Sequence, residues 1–190
     1  MRDFKVTGAE SHMIIALAGR RVDAVDANPK RFPAELVGVV RERIRIVLQT
    51  QGATVLVSSA ACGADLLAIS EAGSLGLRRR IVLPFGREKF RAGSVTDRPG
   101  DWGPLYDEVL NEAEKKGDLL VIQPKSENDA YAETNHVIVE EALSLGLELR
   151  QPVTAVLVWD GKSRGEGDLT EEFGVYAGNK GIAVANVMTD

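Results

Sequence analysis

The stretch Thr54-Val55-Leu56-Val57-Ser58-Ser59-Ala60-Ala61-Cys62-Gly63-Ala64-Asp65-Leu66-Leu67-Ala68 decides the fold. Thr54 to Val57 is a short, β-branched, continuously apolar run, the pattern of a strand buried on both faces. Ser58 to Gly63 holds only small side chains, too little to fill a core and well suited to a tight loop. From Ala64 to about Leu75 the apolar period changes to helical, with Leu66, Ile69 and Gly73 inward. Strand, tight turn and helix together make the first part of a βαβ unit.

The same alternation extends in both directions. Upstream, Ile14 to Ala18 reads as a first strand closed by Gly19, and a helix follows Pro33 with Leu36, Val40, Ile44 and Val47 on one stripe. Gly52 ends that helix. Downstream, strands are predicted at Ile81–Leu83, stopped by Pro84, and at Leu119–Ile122, Ala155–Trp159 and Ala183–Val187. Helices are predicted at about Asp101–Lys116, Ala130–Leu149 and Leu169–Asn179, with a short helical turn around Arg87–Arg91. The expected fold is α/β, a doubly wound and mostly parallel sheet of about six strands in a Rossmann-like three-layer sandwich.

Composition narrows the function classes. A chain of 190 residues, 44% hydrophobic and 27% charged, fits one domain with a sizeable core. A net charge of −5 argues against a general nucleic-acid or membrane-surface binder, and aromatics at 5% leave no stacking platform for single strands. One cysteine and two histidines argue against a disulfide framework and a metal site. No apolar run approaches the roughly 18 residues of a membrane span. Residues 1–13 read as an N-terminal extension, in which Ser11-His12-Met13 looks like a cloning remnant, and 14–190 as a single domain. Without a long apolar segment near Met1, the expected location is cytoplasmic.

In such a sheet the ligand sits beyond the carboxyl ends of the strands, so the loops leaving strands hold the candidate residues. Gly19 and Arg20 follow strand one, where glycine admits a close approach and arginine offers a fork for phosphate or carboxylate. Ser58, Ser59, Ala60, Gly63, Ala64 and Asp65 form a small-residue turn at a helix N-terminus, a place for an anion. Asp65 has two readings there, capping loose amides or accepting from sugar hydroxyls. Cys62 in the same turn reads as a small packing residue rather than a reactive thiol. Phe85 can cover a base and Arg87 reach a phosphate, or both can be plain core and surface. The irregular segment to Trp102 has the length of a lid. Gly165, Gly167, Asp168 and Thr170 precede a helix in a fourth loop. Tyr131 and Asn135, four apart on a helix, share its inward stripe, whereas His136 faces solvent.

In this order, the loops resemble the SMF/DprA–LOG superfamily of Rossmann-like nucleotide-binding domains, often called SLOG. The matching pieces are Ala18-Gly19-Arg20, the Ser58–Ala68 segment, Val82-Leu83-Pro84-Phe85 and Gly165-Glu166-Gly167-Asp168-Leu169-Thr170. The second piece is similar to the small-Gly-Ala/Ile-Asp turn of the YpsA-like and DprA-like branches. The resemblance implies either nucleotide or NAD-derived ligand binding, or the N-glycosidic hydrolysis of nucleoside 5′-monophosphates by LOG-like enzymes. The latter often carry the label lysine decarboxylase-like. This chain departs from the enzymes in lacking their Gly-Gly-Gly loop and an intact Pro-Gly-Gly-x-Gly-Thr-x-x-Glu. With Thr170 at the threonine position Phe173 stands for the catalytic glutamate. With Asp168 there, Glu171 restores it.

Three functional readings follow. The first is a sensor or regulatory module for a nucleotide or an NAD/ADP-ribose-derived molecule, with phosphates across the amides of Ser59 to Ala64 and Arg20 as charge partner. Here Phe85, Tyr131 and Asn135 address the base. The second is a LOG-like phosphoribohydrolase, whose acid would be Glu171 or Glu172, with Asp65 next. The third is an interaction domain with an empty site. No cofactor is expected, and the resemblance implies a homodimer.

Overall fold

The computed structural model describes residues 12–190, so the reading of the N-terminal extension falls, up to residue 11, outside the described residues. Strands β1 (Met13–Gly19), β2 (Ala53–Ser58), β3 (Arg78–Leu83), β4 (Leu119–Val121), β5 (Val153–Trp159) and β6 (Ala183–Met188) form one sheet. Their order is β4-β3-β2-β1-β5-β6 and every pairing is parallel. The helices are α1 (Val37–Thr50), α2 (Ala64–Ser74), α3 (Arg87–Ser94), α4 (Gly103–Lys115), α5 (Ala130–Leu149) and α6 (Leu169–Asn179). This is the α/β Rossmann-like three-layer sandwich expected from the sequence. Among the described residues no helix is long and apolar enough to cross a membrane.

Period-2 alternation along each strand feeds two separate cores. Ile15, Leu17, Leu56, Ile81, Leu83, Val156 and Val158 join α1, α2 and α4 on one face. Ile14, Ala16, Val55, Val57, Val82, Ala155 and Leu157 join α5 and α6 on the other. Both faces are covered, which is why the strands are continuously apolar.

Several boundaries shift for identifiable reasons. β3 begins at Arg78, three residues before the apolar run, because its arginines find carboxylates alongside. Arg78 donates to Asp118 at 2.7 Å, Arg79 pairs with Glu112 at 2.5 Å and Arg80 donates to Glu141 at 2.9 Å. The buried stripe of α1 is Val40, Ile44 and Leu48, with Val47 on its flank. The segment after β3 is no loose cover. It contains α3 and is anchored through buried Phe90, Val95 and Trp102, so it forms a fixed wall.

Chain order reverses at β1, which has β2 on one side and β5 on the other. The carboxyl ends of β1 and β5 therefore flank the topological switch point, where open α/β sheets leave a crevice. Gly63, the residue before α2, lies at φ 98°, and a Cβ on it would sit 2.7 Å from the Val22 amide nitrogen. The chain leaving β1 passes directly over it. Gly63→Ala is expected to cost about 1–3 kcal/mol for strain at this special geometry. Gly38→Ala, in open space on α1, should range from neutral to about 1 kcal/mol stabilising. Urea unfolding of the two variants beside wild type checks the contrast.

Candidate functional site

A cleft of about 390 Å³ opens at the switch point. Its walls come from the loops after β1 and β5, the start of α2, the α3 segment and the first turns of α5 and α6. Of the sequence candidates, Gly19, Arg20, Ser59, Asp65, Tyr131, Asn135, Gly167, Asp168 and Thr170 line it. Arg21, Arg98 and Arg164 line it as well, and the sequence reading did not single these out. For Arg21 and Arg164 the signal was a basic residue in a loop leaving a strand's carboxyl end, whereas Arg98, in the irregular segment after α3, had none.

The Arg20 guanidinium is not free to take a ligand. It is 3% exposed and donates to Asp168 at 2.6 and 2.8 Å, to the Lys162 carbonyl at 2.7 Å and to Asp160 at 3.4 Å. Arg31 donates to the other Asp160 oxygen at 2.8 Å. Asp168 in turn accepts from the amides of Arg164 (2.7 Å), Thr170 (3.0 Å) and Glu171 (3.3 Å), capping α6. Burial alone would raise its pKa, but Arg20 and those amides outweigh it and hold the carboxyl at about 2. An anion does sit at this helix N-terminus with an arginine beside it. It is Asp168.

The turn before α2 is similarly committed. The Ala64 amide donates to the Arg20 carbonyl at 3.1 Å, the Cys62 amide to the Ser94 carbonyl at 3.0 Å, and the Ala61 amide to Asp65 at 3.3 Å. The expected phosphate cradle across Ser59 to Ala64 is thus mostly filled by the protein itself. Ser58 donates to the Leu17 carbonyl at 3.0 Å, while Ala60 and Ala64 are buried in the core. Gly19 is small because a Cβ there would meet Ala64 Cβ at 2.5 Å. Burial pushes the Cys62 thiol up to about 11, in keeping with a packing residue.

The remaining candidates are placed elsewhere. Arg87 donates to Glu114 at 2.8 Å and to Asn111 at 2.7 Å, away from the cleft. Phe85 stands edge-on to Tyr131, with centroids 5.9 Å apart, and borders a separate shallow groove with Lys89 and Lys125. Gly165 shapes the turn whose carbonyl accepts from the Asp168 amide. Glu171 is bonded by the Ser163 hydroxyl, and neither it nor Glu172 lines the cleft. Tyr131 shares a 2.9 Å hydrogen bond with Ser94, and Asn135 donates to the Leu169 carbonyl at 2.8 Å. His136 is exposed and stacks on Tyr176.

Two groups in the cleft stay unsatisfied. Among the described residues, the buried side-chain polar atoms without a hydrogen-bond partner are Asp65 Oδ1 and Arg98 Nε. Arg98 Nε is 3.5 Å from Asp97, within Coulomb reach but outside hydrogen-bond geometry. Asp65 is 7% exposed, and burial pushes its carboxyl up to about 7 against the opposing pull of the Ala61 amide and Arg21. Arg164 lines the same cleft from an exposed position. Burial and then the like charge of Arg20 lower its pKa, with Arg31 adding to the effect. Asp168 and Asp160 pull the other way without cancelling the shift, so a further anion would favour this guanidinium.

No family model matches the chain, and no curated protein matches it either.

Two outcomes follow from this charge arrangement. Asp168→Ala leaves a buried guanidinium without its main partner and is expected to cost about 3–5 kcal/mol. In wild type the pair stabilises fully above about pH 4 and is lost as pH falls toward 2, where Asp168 protonates. Denaturant titration of both proteins between pH 2.5 and 7 reads the difference. Asp65 has the opposite sign, because its folded pKa is raised. Its neutral form suits the fold, so stability erodes as pH rises from about 4 to 7. Asp65→Asn should therefore gain on wild type between pH 4.5 and 8.

Proposed function

We propose that this cleft binds a phosphorylated, nucleotide-class small molecule, derived from a nucleoside monophosphate, NAD or ADP-ribose. The protein then acts as a sensor or regulatory module. The observation carrying this reading is the placement of Arg98 and Arg164 around one cleft at the switch point, both short of carboxylate partners in hydrogen-bond geometry. A protein with net charge −5 that gathers arginines in one crevice is built there for a small anion, not for a polyanion. The loops that resemble the SMF/DprA–LOG superfamily meet at this edge, which adds support for a nucleotide. The anion binds to side chains rather than to the α6 amides, since Asp168 already engages those. The same resemblance implies a homodimer, which sedimentation would test.

A second reading, N-glycosidic hydrolysis, is favoured by one observation. Asp65 is a buried carboxyl in the cleft whose pKa of about 7 suits proton transfer at neutral pH. Of the three candidate acids it alone lines the cleft. In an enzyme, Asp65 and not Glu171 would carry the reaction.

Thermal-shift and calorimetric titration with AMP, GMP, NAD and ADP-ribose test the first reading. Arg98→Ala and Arg164→Ala are each expected to weaken binding by about tenfold or more, the loss of a charge-assisted hydrogen bond. Base release from AMP, abolished in Asp65→Asn and unchanged in Glu171→Gln, would instead establish the hydrolase. A folded protein that no nucleotide shifts favours the interaction domain.

A further inference from the structure

Asp65 lies in the first turn of α2, with Oδ2 held by the Ala61 amide at 3.3 Å and Oδ1 buried without a partner. The side chain lines the cleft. A buried acceptor left unmade is costly, so the site is complete only when something fills it. The Gly19 amide pulls on this carboxyl, but from outside hydrogen-bond geometry, and no protein donor completes the bond. Arg20 is held by Asp168 and Asp160, and Arg21 is drawn away to Asp97 at 2.9 Å and to the Gly93 carbonyl at 2.9 Å. The charged groups around this turn are Arg21 from the loop after β1, with Asp97 and Arg98 from the segment after α3.

Which ligand group fits Oδ1 is a matter of donor chemistry. A carboxyl that titrates near neutrality presents an acceptor in one state and a donor in the other. A phosphate oxygen matches only the protonated acid, and an ammonium matches only the carboxylate. A hydroxyl matches both, donating to the ionised form and accepting from the neutral one. The nearby cleft arginines can take the phosphate, which leaves Asp65 for the uncharged, hydroxyl-bearing part of the same molecule.

We infer that Asp65 is a specificity-determining residue that reads a sugar hydroxyl of the bound ligand, so the cleft selects ribonucleotides over their deoxy counterparts. The inference rests on the nucleotide reading above and deepens it. Deleting the hydroxyl strands Oδ1 again, so discrimination comes from an unpaired buried group rather than from a lost contact alone.

The experiment compares binding of AMP, 2′-deoxy-AMP and 3′-deoxy-AMP by calorimetry, for wild type, Asp65→Ala and Asp65→Leu, at pH 6 and pH 8. Wild type is expected to bind AMP about tenfold or more tighter than at least one deoxy form, at both pH values. In Asp65→Ala that ratio should fall to within about twofold, while the deoxy form binds within about threefold of its wild-type affinity. Asp65→Leu fills the same space without a polar atom, so it decides the matter if the alanine variant does not fold. It too should lose most of the discrimination, because leucine neither donates to nor accepts from a hydroxyl. Equal binding of all three nucleotides by wild type overturns the inference and leaves the nucleotide reading standing. Selectivity that survives in both variants likewise overturns it, since another group then reads the sugar. Binding by none of the three overturns both. An affinity that falls from pH 6 to pH 8 by the same factor for all three nucleotides, and does not in Asp65→Ala, assigns Asp65 to an anionic oxygen and also overturns it.

Discussion

The structure depends on one buried charge pair, Arg20 with Asp168. It joins the loop leaving β1 to the loop leaving β5 at the place where chain order reverses. The residues are 148 apart in sequence, and both side chains are nearly inaccessible. Two charges removed from water are tolerated only when their remaining donors and acceptors are also met. Here they are, through Asp160, the Lys162 carbonyl and three backbone amides. Thus a single ion pair ties the crevice walls together, and its carboxylate also caps α6 and holds the Arg164 backbone amide.

This arrangement reassigns the cleft's polar groups. Of the two helix N-termini facing the crevice, α6 carries its own carboxylate cap in Asp168, so its dipole is answered from within, while α2 has Asp65 in its first turn without a cap bond. What is left for a ligand are flexible guanidiniums on the walls and one oxygen of Asp65. Such a site grips anions by side chains that can adjust, and it reads neutral chemistry by a group that cannot. The α5 residues Tyr131 and Asn135 brace it, each bonded to a different wall, through Ser94 and Leu169.

The layer order was legible from sequence because burial on both faces leaves continuous apolar strands, and because small residues stop each strand cleanly. Where charge entered a strand the sequence was misleading. Arg78 to Arg80 looks like surface until the partners Asp118, Glu112 and Glu141 are placed beside it. The candidate loops could be found by position alone, since strand ends are recognisable. The role of Arg20 could not, because its partners are distant in sequence and meet it only through the parallel topology. For the same reason Arg98, in an irregular segment, gave no local sign that its Nε would be buried beside the crevice. Asp65 was visible as a polar residue at a helix start, yet its unpartnered oxygen depends on Arg21 being drawn to Asp97.

The contact between Gly19 and Ala64 bears on how such proteins diverge. With a Cβ on Gly19 only 2.5 Å from that of Ala64, and Gly63 pressed under Val22, the small residues of both loops are interlocked. Neither loop can gain bulk unless the other yields, so they would be expected to change together or not at all over evolutionary time. Their smallness is then a record of how closely α2 nests against β1. Proteins descended from a common ancestor could keep this signature while exchanging the guanidiniums around it, and so come to answer to quite different molecules behind an unchanged set of glycines and alanines.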